Sequence, residues 1–387
     1  MTLCGLSAAR SLWRSIEYIR MTETTLPADE RVTQAQLLLL AWYERVGRKL
    51  PWRETNDPYA ILVSEMMLQQ TQVDRVLPKY REFLERFPTL AALAEAPTAE
   101  VIRAWAPLGY NMRAVRLQAI ARQVVAEYQG QIPASVTELL KLKGVGRYTA
   151  GAIACFAYQQ QVATVDTNIR RVLHRLFVGI EKPEAPPRDD DAWELAEAVL
   201  PDGEAYRWNQ ALMDLGATVC TATTPTCETC PMQPMCCAYQ EVGQYTLFPS
   251  SKGLQALLQQ GKVAAATRKR AQPKSTSTSG EDGHADISLG KVAETPAVYK
   301  TQPFTSTTRY FRGRIVDALR LLAPGERMNL MELGPQVKAD FSAADLAWLF
   351  GLTQRLARDG LIALHTEEQA PVDESAQSYA ALLVSLP

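Results

Sequence analysis

The sequence has no surplus of either charge: 41 lysines and arginines stand against 42 aspartates and glutamates, a net charge of −1. That excludes the bulk positive field of a protein that coats nucleic acid, so any grip on a phosphate backbone has to be local. Histidine is scarce, and His174, His284 and His365 are scattered without the spacing of metal ligands. Long apolar runs are missing as well. Even Leu37–Trp42 is short and flanked by polar residues, well under the roughly 20 residues of a membrane span. A paired-cysteine frame of the secreted kind is also absent. The 7 cysteines are odd in number, four crowd between Cys220 and Cys236, and Cys4, Cys155 and Cys237 stand apart. Such crowding suits metal or cluster ligation in a reducing cytoplasm, the expected location. Residues 1–20 carry Arg10, Arg14 and Arg20 but no uninterrupted apolar core of a secretory signal, and Met21 is the preferred initiator.

What the chain does have is helical periodicity. From Val32 to about Phe248 apolar residues recur every three or four positions with no sustained alternation, which predicts an all-α domain. Expected helices are Gln34–Val46, Tyr59–Gln70, Gln72–Arg86, Ala99–Trp105, Arg113–Glu127, Val136–Leu142, Thr149–Tyr158, Asn168–Leu176 and Asp190–Leu200. Pro51, Pro58, Pro88, Pro97, Pro107 and Pro133 fall between them, as helix boundaries should. The expected division is an N-terminal extension at 1–30, the helical domain at 31–248, a flexible linker at 249–305, a winged-helix-like module at 306–370 and a tail at 371–387. The linker reading rests on a Lys, Ser, Thr, Gly and Gln composition that includes Arg268-Lys269-Arg270. The module reading rests on helical patterns at Arg309–Leu322, from Leu330, and at Ala343–Asp359, then a strand at Gly360–His365.

Three stretches carry chemistry. In Leu142–Ala150, Gly144 and Gly146 bracket Val145 between two helical runs, a turn able to aim backbone N–H groups and a helix N-terminus at a phosphate. Asp166 follows closely enough to return beside the second helix. In Ser64–Gln72, Glu65 lies within a strongly apolar helix, where burial should raise its pKa and let it act as an acid near neutral pH. Gln69, Gln70 and Gln72 follow, side chains suited to base edges or to filling a base stack. The third is Cys220-x6-Cys227-x2-Cys230-x5-Cys236, stiffened by Pro225, Pro231 and Pro234. Its four thiolates suit either tetrahedral zinc or an iron–sulfur cluster.

Taken together these stretches resemble the helix-hairpin-helix DNA glycosylase superfamily, specifically its A/G-mismatch adenine glycosylase (MutY-type) branch, over residues 34–240. The carriers are Leu50–Arg53, Ser64–Gln72, Leu108-Gly109-Tyr110, Gly144–Ala152, Val165–Asn168, Asn209–Gly216 and the cysteine loop. The resemblance implies a 4Fe–4S cluster on Cys220, Cys227, Cys230 and Cys236. It implies that Glu65 protonates adenine at N7 while Asp166 stabilises the sugar oxocarbenium or bonds to it transiently. It gives Trp52, Arg53 and Asp214 to the adenine pocket, Asn168 to orienting Asp166, Gln70 to filling the vacated stack and Tyr110 to wedging beside the opposing guanine. Gly144, Val145 and Gly146 would present amides to phosphate. Tyr148 stands where strand-cutting relatives place a Schiff-base lysine, which implies a monofunctional enzyme leaving an abasic site. The expected partner is mismatched or damaged duplex DNA, met as a monomer.

The sequence departs from the pattern in three places. Lys143 replaces a proline of the hairpin, Asn111 replaces a second tyrosine after Tyr110, and no C-terminal Nudix-like reader of 8-oxoguanine is visible. Two competing expectations remain: a thymine glycosylase acting on T/G mismatches, against which Gln69–Gln72 argue, and a noncatalytic cluster-bearing DNA binder, against which the presence of both Glu65 and Asp166 argues.

Overall fold

The structure, a computed structural model, describes residues 28–180, 188–244, 303–365, 379 and 382–387. Most of the expected extension, nearly all of the expected linker with its basic run, and part of the expected tail lie outside the described residues. In chain order the helices are α1 (Ala28–Val46), α2 (Pro58–Leu68), α3 (Val73–Arg86), α4 (Leu90–Glu95), α5 (Thr98–Ala104), α6 (Met112–Tyr128) and α7 (Val136–Leu139). There follow α8 (Arg147–Phe156), α9 (Thr167–Leu173), α10 (Asp189–Ala198), α11 (Ala205–Thr218), α12 (Cys237–Gln244), α13 (Thr308–Arg320), α14 (Leu330–Val337) and α15 (Leu346–Arg358). The strands are β1 (Met328–Asn329), β2 (Ala363–His365) and β3 (Leu383–Ser385). None of the described helices is long and apolar enough to cross a membrane.

The chain forms two compact units, Met1–Glu95 with Arg116–Ala271, and Ala96–Val115 with Gln272–Pro387. The first is helical throughout its described part, as periodicity predicts. α2 starts where it does because the Asp57 carboxylate accepts from the amides of Tyr59 and Ala60 (3.0 and 3.3 Å), and Pro58 is pre-set for a first turn. Every residue from Tyr59 to Met67 is buried, so α2 is a core helix with no solvent face. α8 starts after the hairpin turn, where Gly144 has φ +102, a left-handed conformation that a side chain would strain. α1, α9 and α11 share a core of Leu39, Ile169, Leu173, Trp208, Leu212 and Leu215. Here Gly216 is required by close approach: a Cβ on it would sit 2.9 Å from Asn168 Cβ. α4, α11 and α12 extend the expected set, and α9 runs on into a π-turn at His174–Val178.

The second unit corrects two expected boundaries. Residues 96–115 do not belong with the surrounding helical domain. Ile102 of α5 is buried with Ile315, Leu319, Leu333, Leu349, Leu352 and Val384, more than 200 residues further on. Nor are the described residues at the end of the expected tail, 382–387, a tail, because β3 is the central strand of an antiparallel sheet ordered β1-β3-β2, with Val384 opposite both Met328 and Leu364. Three-residue strands fall below the window in which alternation is detectable, so Leu382–Leu386 gave no strand signal. α13, α14 and α15 cover this sheet, α14 closed at its start by a reciprocal Asn329–Glu332 capping box.

Candidate active site

A cleft of about 1070 Å³ opens in the first unit between the C-terminal end of α2, the start of α3, the hairpin and the starts of α9 and α10. Glu65, Trp52, Arg53, Gln69, Gln70, Gln72, Tyr148, Asp166 and Asn168 all line it. Residues far apart in sequence are thus gathered on one space.

Glu65 is 6% exposed, and burial lifts its carboxyl to about 7. The Tyr148 hydroxyl donates to it, which pulls the value down; the charge of Asp166 pushes it up and that of Arg53 lowers it. Burial first, then the negative charge of Glu65, raises the Tyr148 hydroxyl well above the ordinary tyrosine range, so it stays a donor. Asp166 is the N-cap of α9. Its Oδ1 accepts from the amides of Asn168 (2.9 Å) and Ile169 (2.6 Å), and its Oδ2 from the Asn168 side-chain amide (3.0 Å). These three donors cap α9 and fix the direction of the carboxylate. Asn168 is held in turn: its Oδ1 accepts from Arg171 at 2.9 Å, and Arg171 also donates to the carbonyls of Gly216 (2.8 Å) and Cys220 (3.0 Å).

The wall beside Glu65 is set by Asp214, which is 1% exposed. Arg53 grips it with both terminal nitrogens, at 2.9 and 2.8 Å, and Arg48 adds its Nε at 2.7 Å and its backbone amide at 2.9 Å. Burial alone would raise the Asp214 carboxyl; the hydrogen bonds and charge of Arg53, with Arg48, outweigh it and hold it below the usual range. Asp214 therefore acts through Arg53, with Trp52 packed edge-on against Tyr80 (5.3 Å between ring centroids). Arg48 was not singled out from sequence because Arg48-Lys49 reads as solvated charge. Also in the cleft are Gln210, Arg170 and the pair Arg147–Trp193, whose guanidinium lies 4.0 Å from the indole centroid.

Two expected groupings differ from the structure. The Val145 amide donates to the Leu142 carbonyl at 3.0 Å, so it closes the turn and is not offered to a phosphate. The donors left at this corner are the amides of Gly144 and Gly146 and the first turn of α8. Tyr110 is placed in the second unit.

Cys220, Cys227, Cys230 and Cys236 line one small cavity with Arg175 and Pro225. Among the described residues no three His, Cys, Asp or Glu side chains meet about a single point as one metal ion requires. Burial pushes the Cys230 thiol to about 12 and raises those of Cys227 and Cys236. Four sulfurs lining one small cavity would fit a metal–sulfur group, and Arg175 donates to Cys220 Sγ at 3.4 Å. Cys237 turns away to accept from Arg31 at 2.9 Å.

Residues 63–198 match the family model described as HhH-GPD superfamily base excision DNA repair protein. The chain is 48% identical over 206 residues to the adenine DNA glycosylase of Mycolicibacterium smegmatis, covering 53% of this chain and 69% of that one. It is 42% identical to the adenine DNA glycosylase of Homo sapiens, covering 57% of this chain and 42% of that one. Among solved structures, a thermostable thymine-DNA glycosylase superposes with a TM-score of 0.52 at 32% identity, over 55% of this chain and 98% of that one. With a cleft that pairs a buried acid with a capped carboxylate beside a glycine hairpin, this chain belongs to the adenine DNA glycosylase family of HhH-GPD base excision repair proteins.

Proposed function

We propose that the protein excises adenine mispaired with guanine or 8-oxoguanine from duplex DNA, hydrolysing the N-glycosidic bond and leaving an abasic site. The observation that carries this reading is the pairing of Glu65, lifted to about 7 by burial, with Asp166 held in one direction by three donors. Cleavage of a glycosidic bond uses one carboxyl that gives a proton and one that stays ionised. Glu65 protonates N7 of the flipped adenine, turning the base into a neutral leaving group. Asp166 faces the positive charge that then develops on the sugar, and Asn168 keeps the carboxylate turned toward it. Arg53, fixed by Asp214, and Trp52 form the wall against which adenine lies. Gln70 enters the space the base vacates, Gln69 and Gln72 meet neighbouring DNA, and Gly144, Gly146 and the start of α8 hold a backbone phosphate.

Tyr148 has no amine to attack the sugar, so strand scission through a Schiff base is not available to this site. The cysteine loop suits a 4Fe–4S cluster on Cys220, Cys227, Cys230 and Cys236, which when bound would supply a rigid cross-link of the loop. Winged-helix-like is the reading best supported for the C-terminal part of the second unit, on α13, α14, α15 and the three-stranded sheet. The test is base release from A/G and A/8-oxoguanine duplexes with and without alkali. Adenine release with strand breaks only after alkali is expected; rapid scission without alkali overturns it. Asp166→Asn is expected to lower release by on the order of 100- to 1,000-fold with duplex binding retained. The solved thymine-DNA glycosylase at 32% identity favours a second reading, release of thymine from T/G mismatches, and faster thymine than adenine release would establish it.

A further inference from the structure

We propose that Arg147 is a phosphate-binding group at the mouth of the cleft, kept occupied by carboxylates of α10, so that a DNA phosphate reaches it only by displacing them. The proposal rests on the duplex-DNA reading above. Arg147 is the first residue of α8, directly after the capping Gly146. A cation there lies at the positive end of the helix dipole, where the fold by itself favours an acid. An anion seated on the amides of the same turn would be its natural partner.

In the free protein one face of α10 takes that place. The Arg147 guanidinium donates to Glu197 Oε1 at 3.2 Å, lies 3.8 Å from an oxygen of Asp190, and covers the Trp193 indole at 4.0 Å from its centroid. Asp190, Trp193 and Glu197 are three and four positions apart, the spacing of a single helical face. Asp190 also lies 4.0 Å from Arg188. A second arginine is held in the same manner, since Arg170 of α9 is 3.6 Å from Asp189 at the start of α10. Arg147, Arg170, Asp189 and Trp193 all line the cleft, and all belong to the first unit.

The carboxylates are more open to water than the arginine they hold: the side chains of Asp190 and Glu197 are 71% and 61% exposed, that of Arg147 48%. Ion pairs so exposed add little to stability. Their effect on an incoming phosphate is greater, because they occupy the cation and set like charge beside it. The guanidinium fork can serve α10 or a phosphate, and Trp193 keeps it at the mouth while the partner changes. In a chain with a net charge of −1, this exchange sets a threshold for binding: a duplex has to bring its phosphate to the hairpin before the cleft shows its full positive charge.

The test is a double-mutant cycle on equilibrium binding of the full-length protein to a fully paired duplex, read as Kd at one fixed salt concentration. Asp190→Asn combined with Glu197→Gln is expected to tighten binding about 3- to 10-fold when Arg147 is present, and less than about 2-fold in the Arg147→Ala background. Arg147→Lys keeps the charge and is expected to restore the tightening, which separates loss of the cation from damage to α8. Equal tightening with and without Arg147 overturns the proposal, since the carboxylates would then act only by general repulsion. So does unchanged or weaker binding once they are removed. Absence of duplex binding by every protein removes the duplex-DNA reading itself and this role for α10 with it, whereas binding that is present but indifferent to α10 overturns the α10 role alone.

Discussion

In the proposed mechanism Glu65 has to be protonated to act, and the burial that keeps it so costs the fold stability. Burial raises the carboxyl from 4.5 in the unfolded chain to about 7 in the folded one, so between those values the folded state holds a proton that the unfolded state has lost. Stability contributed at this position is therefore complete below pH 4.5, declines as pH rises toward 7 and is level above it. Glu65→Gln has no such titration. It is expected to be more stable than the wild type above pH 7 by about 3 kcal/mol at most, and to show little advantage at pH 4.5. Denaturant midpoints at the two pH values measure this, and a pH-independent difference would show that Glu65 titrates normally. Base release by the wild type should fall as pH rises through about 7, while Glu65→Gln should show negligible release throughout. Glu65 and Asp166 were both singled out in the sequence, Glu65 for its apolar helix and Asp166 for its nearness to the hairpin, but it was the family resemblance that paired them, since Glu65 alone reads equally as a surface acid. Arg48 was not, since its role depends on Asp214 arriving from 166 positions away.

At the scale of elements, the site depends on how closely α9 and α11 approach. The Gly216 contact with Asn168 leaves no room for a methyl group, and Asn168 is what orients Asp166. Gly216→Ala is expected to cost about 1–3 kcal/mol by overpacking, and to slow base release because Asn168 must shift. Thermal unfolding and single-turnover rates check the two parts separately; a stable variant with an unchanged rate would show that the helices yield without disturbing Asp166. Helix existence in the first unit followed from periodicity and proline placement, because long amphipathic runs print their faces on the sequence. Helix ends did not. α8 starts two residues earlier than expected, since Gly146 serves as its cap, and the turn consumes the Val145 amide that sequence reasoning had offered to a ligand.

At the scale of the whole molecule, the sequence could not reveal that residues 96–115 and the C-terminal region share a core, because the apolar face of α5 looks the same whichever partner covers it. β3 was missed because a strand is defined by pairing, and its partners Met328 and Leu364 lie in separate segments. The structural consequence is testable with Val384→Asp, which places an unpaired charge at a fully buried position of the central strand. Loss of proteolytic and hydrogen-exchange protection across α13–α15 is expected, with α2, α8 and α9 still protected. Native protection throughout would show that the second unit does not need its central strand.

That shared core also sets an order of events during synthesis. The turn bearing Tyr110 leaves the ribosome with α5 but cannot be fixed until α13 and β3 follow, more than 200 residues later and on the order of tens of seconds at typical elongation rates. Until then Ile102 is an uncovered apolar side chain on a nascent chain whose candidate active-site cleft already has all its residues. The first unit's chain is therefore complete before the second unit's core can close.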